Sequence, residues 1–202
     1  MVTIVDYGVG NLFSLSSSFA AIGEDVVVTA DYAVLQQAEK ILLPGVGAFA
    51  DAAEKLRTSG LDRVLKSHVD AGKPLMGICL GMQLLFEKSY EYGCHDGLGL
   101  IPGSVVPMAG SIPAELKIPH IGWNALHLRK TSPLFENVQE GQCVYFVHSY
   151  YADQCGEYVT ATVEYGKELT AAVARENVMG CQFHPEKSGT VGLAILKAFA
   201  QM

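Results

Sequence analysis

The pentapeptide GICLG at residues 77–81 sets Cys79 between two glycines, where the apolar run PLMGI gives way to LGMQLLFEKS with its helical pattern. It has the form of a nucleophile elbow, G-x-S-x-G, with cysteine in place of serine. Such an elbow is a sharp strand-to-helix turn in which only residues without bulky side chains fit on either side of the nucleophile. Cys79 would project from the carboxyl edge of a sheet at a helix N-terminus, where unpaired N–H groups and the helix dipole favour a thiolate. Nucleophilic attack is the chemistry this position offers; a buried structural cysteine is the competing reading of the pentapeptide alone.

A nucleophilic thiol needs a proton acceptor, and six histidines are available. His184 lies in CQFHPEKS with Glu186 two residues on. In an extended segment these side chains share a face, so the carboxylate can bond one imidazole nitrogen and aim the other at the thiol. That supplies nucleophile, base and orienter. His68, His95 and His127 sit in polar or amphipathic contexts without an evident partner and read as surface or structural. PGVGAF at 44–49 adds a loop whose glycines flank Val46. The Val46 peptide N–H and that of Leu80 could together support a developing oxyanion. As a bare feature, PGVG is also simply a turn.

The elements that must position these residues follow from the alternation VTIVD, NLFSLSSSFAAIG, DVVVT, KILLP and PLMGI. Continuous Val/Ile/Leu runs between helical patterns indicate strands buried on both faces, hence a parallel sheet with crossover helices. Right-handed crossovers bring every strand-to-helix loop to one carboxyl edge, so DYGVGN, PGVGAF and GICLG meet there. After about residue 100, CVYFVHSYYA, EYVTATVEY, LTAAVARE and VMGCQFH predict antiparallel or mixed extensions of the same sheet. SGTVGLAILKAFAQM reads as a closing helix with Ser188 as its N-cap. The expected fold is α/β, a doubly wound, mostly parallel central sheet flanked by helices, with antiparallel additions in the second half and one domain over residues 1–202. DYGVGN invites a dinucleotide site, but the third glycine of G-x-G-x-x-G falls at Phe13, which favours a tight turn.

Composition narrows the function. The chain has 202 residues, half of them hydrophobic, with a net charge of -7 and no Lys/Arg cluster. That points to a packed interior and away from nucleic acid or an anionic membrane surface as partner. No apolar stretch approaches a membrane span, and MVTIVDYG lacks the basic start of a signal peptide, so a cytoplasmic location is expected. The five cysteines are irregularly spaced, without a C-x-x-C pair. We expect no metal site and no cofactor, and most of these cysteines to be small buried hydrophobes.

PGVGAF, GICLGMQLLFE and HPEKS, in this order, resemble the class I, or triad, glutamine amidotransferases, over essentially the whole chain. DYGVGNLFS, GLGLIPG, KIPHIGWN and YFVHSYYA narrow the likeness to members that serve a TIM-barrel cyclase in histidine biosynthesis. The resemblance implies a flavodoxin-like fold and a glutaminase. Cys79 attacks the side-chain amide of glutamine, a γ-glutamyl thioester forms, ammonia goes to a cyclase making imidazole glycerol phosphate and AICAR, and water frees glutamate. His184 shuttles protons and Glu186 orients it. By the same resemblance Gly47, Gln83, His148, Ser149 and Tyr150 line the glutamine pocket. Glu91 corresponds to a further substrate contact, although SYEYGCHDG carries tyrosines and a cysteine where relatives are more acidic or polar. Asn11, Trp123, Tyr145 and Lys187 correspond to the cyclase interface, and the PGVG peptide to an oxyanion strand that turns inward when the liganded partner binds. The competing expectations are an amidotransferase serving another acceptor and a catalytically silent regulatory subunit.

Overall fold

A computed structural model describes residues 1–202. The first half builds a parallel core from β1 (Val2–Val5), α1 (Leu12–Ala21), β2 (Val26–Thr29), α2 (Tyr32–Gln37), β3 (Lys40–Leu43), α3 (Phe49–Ser59), α4 (Leu61–Asp70), β4 (Leu75–Ile78) and α5 (Leu80–Leu84). There follow β5 (Phe86–Ser89), β6 (His95–Asp96), β7 (Ile101–Pro107), β8 (His120–Leu128), β9 (Cys143–His148), β10 (Tyr150–Asp153), β11 (Val159–Glu164), β12 (Glu168–Arg175), β13 (Val178–Cys181) and α6 (Gly189–Gln201).

Nine strands form one sheet in the order β2-β1-β3-β4-β13-β12-β11-β8-β9. The run from β2 to β13 is parallel and the run from β13 to β9 antiparallel. Side-chain alternation divides the interior into two cores. Val2, Ile4, Leu42 and Met76 pack with Phe19 of α1 and Leu196 and Phe199 of α6. Val5, Ile41, Leu43 and Leu75 pack on the other face with Phe49, Leu56, Val64 and Leu65 of α3 and α4. Sheet residues buried this way on both faces are what the continuous apolar runs required. The carboxyl ends of β1, β3 and β4 therefore carry DYGVGN, PGVGAF and GICLG to one edge, and DYGVGN is a turn with Gly8 and Gly10 at positive φ.

Two expectations are corrected. LGMQLLFEKS is helical only over Leu80–Leu84 and then becomes β5. The reason is tertiary: N–H groups of Leu98, Gly99 and Leu100 take the carbonyls of Leu84, Phe86 and Leu85, so the helix is not continued. CVYFVHSYYA breaks at Ser149, and β10 leaves the main sheet to join a second one ordered β10-β7-β5-β6. The second-half strands thus do not all extend a single sheet. The expectation for the cysteines holds, since Cys79, Cys155 and Cys181 are buried and only Cys94 and Cys143 are exposed.

Candidate active site

Cys79 joins β4 to α5 with φ 54° and ψ -111°, a left-handed backbone for a residue with a Cβ. Strain of this kind persists only where the surroundings hold it, and it clusters at functional sites. The flanking glycines supply the room. A Cβ on Gly77 would lie 2.6 Å from the Gly81 carbonyl, and one on Gly81 would lie 1.9 Å from the Leu43 oxygen at the end of β3. The elbow is thereby pressed against the start of PGVG. There Gly47 has φ 98°, and the Tyr7 hydroxyl donates to the Pro44 carbonyl at 2.7 Å. Burial, and secondarily the neighbouring Cys79, raise the Tyr7 hydroxyl well above its ordinary value, so it remains a donor.

His184 comes to the elbow from just beyond the carboxyl end of β13, the strand paired in parallel with β4. Its Nδ1 lies 2.8 Å from Glu186 Oε1, and both side chains are almost wholly buried. The expected extended arrangement is corrected in detail: His184 is extended, but Pro185–Lys187 is a 3-10 turn that folds the carboxylate back onto the ring. His184 Nε2 is buried without a hydrogen-bond partner of its own. Burial lowers the affinity of this ring for a proton, but the adjacent Cys79 sulfur and the Glu186 carboxylate outweigh it and raise its pKa to about 9. Ser188, expected as an N-cap, makes no such bond. Its hydroxyl instead donates to the His184 carbonyl at 2.6 Å and accepts from the Tyr145 N–H at 2.9 Å, which ties the turn to β9.

One cavity of about 500 Å³ is lined by Val46, Gly47, Cys79, Leu80, Gln83, Glu91, His148, Ser149, Tyr150 and His184. Glu186 stands behind His184, outside the lining. Leu80 is the first residue of α5, where an N–H has no partner within the helix. Gln83 uses Nε2 on Gln182 Oε1 and the Tyr150 carbonyl, at 2.9 and 3.3 Å. Glu91 Oε2 accepts from the Phe49 N–H, which bridges the second sheet to the start of α3.

Residues 3–201 match the family described as glutamine amidotransferase class-I. The imidazole glycerol phosphate synthase subunit HisH of Syntrophotalea carbinolica is 48% identical over 206 residues, covering 100% of both chains. That of Aquifex aeolicus is 48% identical over 198 residues, covering 97% of this chain and 94% of the relative. This chain belongs to the class I glutamine amidotransferases. In fold it is similar to a crystal structure described as a glutamine amidotransferase, with a TM-score of 0.77 at 18% identity and full coverage of both chains. It is similar likewise to PurLQS from Thermotoga maritima, at 0.74 and 19% identity, covering 99% and 97%.

As a class I amidotransferase the chain carries groups that the motifs did not disclose. Gln182 joins Gln83 to Cys79, with its Nε2 3.7 Å from the sulfur. Its place two residues before His184, with the same strand parity, was the available signal. His120 Nδ1 lies 3.1 Å from His148 Nε2, and His148 Nδ1 lies 2.8 Å from the Tyr150 carbonyl. A carbonyl only accepts, so His148 donates through Nδ1 and accepts from His120 through Nε2. Burial lowers both rings to about 4 and keeps them neutral.

The residues expected at a partner interface lie outside the cavity. Trp123 is 66% exposed, its ring stacks edge-on against Tyr145 at 4.9 Å, and the Lys187 ammonium sits 5.6 Å over the Tyr145 ring. Asn11 caps α1, which packs on the Pro185–Lys187 turn. No helix is long and apolar enough to cross a membrane.

Proposed function

We propose that this chain is the glutaminase subunit of an imidazole glycerol phosphate synthase, with residues 1–202 working as one amidotransferase domain in the cytoplasm. The observation that carries the reading is a thiol on a strained elbow beside a buried His184–Glu186 pair, at a cavity of amino-acid size. Relatives bearing that name match the chain from end to end.

The Cys79 thiolate attacks the side-chain carbon of glutamine. Charge moves to the carbonyl oxygen, which meets the Leu80 N–H and, once the Gly45–Val46 peptide turns inward, the Val46 N–H as a second donor. Collapse expels the amide nitrogen, which takes its proton from His184 and leaves as ammonia. The neutral imidazole then draws a proton from water, hydroxide attacks the thioester, and the sulfur departs with its electron pair as glutamate forms. Glutamine and water balance the reaction without a further reactant. At the other end of the substrate, Gln83 has both amide hydrogens committed, so its Oε1 is the atom left to accept from the α-ammonium. Glu91 keeps Oε1 for the same cation, and Gly47, His148, Ser149 and Tyr150 shape the remaining wall.

Ammonia released into water would be protonated and lose its nucleophilicity, so it passes to a bound acceptor enzyme. The patch of Trp123, Tyr145, Lys187 and Asn11 is the surface we assign to a TIM-barrel cyclase of the kind that the resemblance implies. The test is Cys79→Ala in the complex. Glutamine-dependent product formation should vanish while the reaction with ammonium salts persists. Loss of both activities would overturn the separation of nucleophile from acceptor chemistry, and retention of both would overturn the role of Cys79.

A further inference from the structure

Gln182 follows β13 with its side chain wholly buried, 0% exposed, yet placed against the sulfur at the centre of the site. Which end of a buried amide faces which neighbour must be settled by hydrogen-bond logic. Here the partners settle it. The Tyr150 carbonyl can only accept, and Gln83 Nε2 lies 3.3 Å from it, so that atom is the donor end of Gln83. Gln83 Nε2 lies 2.9 Å from Gln182 Oε1, which must therefore be an acceptor. Gln182 is left presenting Nε2 to Cys79 Sγ at 3.7 Å. The reversed amide would set two NH2 groups against each other and a carbonyl oxygen against the sulfur.

We infer that Gln182 is a hydrogen-bond donor to the Cys79 sulfur, oriented through Gln83 by the Tyr150 carbonyl, which stabilises the thiolate before attack and again when the thioester is cleaved. The inference rests on the amidotransferase reading. In that reaction the sulfur lone pair forms the carbon–sulfur bond in the first step and is recovered when that bond breaks in the last. The sulfur is anionic at both ends and neutral between, so a fixed donor stabilises the resting thiolate and improves the sulfur as a leaving group. Hydrogen bonds to charged groups exceed neutral ones in strength, and the loss of one corresponds to about tenfold or more in the thiolate fraction. His184 approaches the sulfur from β13 as well but carries a transferable proton. Gln182 does not titrate, so its contribution is the same whether His184 holds a proton or has given it up.

The experiment is alkylation of Cys79 by iodoacetamide in the full-length chain, in which the thiolate forms the carbon–sulfur bond and iodide leaves. Mass analysis of the peptide bearing Cys79 keeps the exposed Cys94 and Cys143 out of the count. Wild type, Gln182→Met and Gln182→Glu are compared across pH, with folding checked by circular dichroism. Gln182→Met should move the midpoint of the rate profile upward by about one unit and slow alkylation about tenfold on the acid side. Gln182→Glu keeps the acceptor for Gln83 but sets a carboxylate oxygen against the sulfur, and should move the midpoint further. Profiles that superimpose on wild type in either folded variant would overturn the inference, even if glutamine hydrolysis falls. If Gln182→Met does not fold, the isosteric Gln182→Glu decides by the same readout. A wild-type complex that hydrolyses no glutamine, with the Gln182-dependent midpoint intact, would overturn the amidotransferase reading and leave the sulfur contact standing.

Discussion

The proton on His184 is contested. Burial opposes it, the Cys79 sulfur and the Glu186 carboxylate hold it, and the two together keep the ring charged up to about 9. In Glu186→Gln only the sulfur would remain against burial, so the His184 titration should fall, an outcome read by NMR of labelled histidine. Glutamine hydrolysis should fall about 10²-fold or more, the range for loss of general acid–base function. A titration that does not move would assign the whole effect to Cys79. The same shift bears on stability. The folded pKa of His184 lies above its unfolded value of about 6.5, so this contribution is complete below that pH and is lost as pH rises through about 9.

The junction of β3, β4 and α5 depends on contacts too close for any side chain. The Cβ of Gly81→Ala would lie 1.9 Å from the Leu43 carbonyl oxygen, so strand or helix would have to shift. We expect destabilisation of at least ~2 kcal/mol, a fall of about 4–8 °C in Tm measured calorimetrically. At the other end of the same sheet, beyond β13, β12 and β11, β8 and β9 pair His120 with His148. Both rings are depressed to about 4 by burial, so their contribution is complete above an unfolded value of about 6.5 and is lost as pH falls through 4. Tm should therefore drop over that window. His120→Phe retains an aromatic ring between Phe146 and Tyr165 but removes one of the titrating groups. Its Tm profile should be flatter between pH 6.5 and 4.

Taken as a whole, the molecule sets its cavity and its aromatic patch on two sides of the Pro185–Lys187 turn. His184 lines the cavity, and Lys187 lies over Tyr145 on the patch. A partner seated on the patch would press on the turn that orients His184. Trp123→Ala should weaken association with the cyclase by about 30-fold or more, the usual cost of truncating a central aromatic anchor. The only tryptophan of the chain makes its own fluorescence the measurement in wild type, with calorimetric titration for the variant. Glutamine hydrolysis assayed with and without the liganded cyclase should differ strongly, and equal rates would remove the regulatory role of the interface.

Much of this was legible in the chain because it rests on local spacing. Two glycines around Cys79 demand an elbow, alternating apolar runs demand a parallel core, and His184 with Glu186 two residues on supplies a pair that closes on itself. What the spacing could not hold were relations between segments far apart. The carbonyls that would continue α5 are taken by Leu98 to Leu100, and the strand through Ser149 divides between two sheets. The Ser188 hydroxyl serves His184 and Tyr145 instead of its own helix. Gln182 meets Cys79 only because β13 lies beside β4 in the sheet. Local sequence determines which backbone a segment prefers and which side chains it can offer, whereas a buried hydrogen bond is satisfied by whichever partner the packed chain brings within reach. The tertiary structure alone decided those partners.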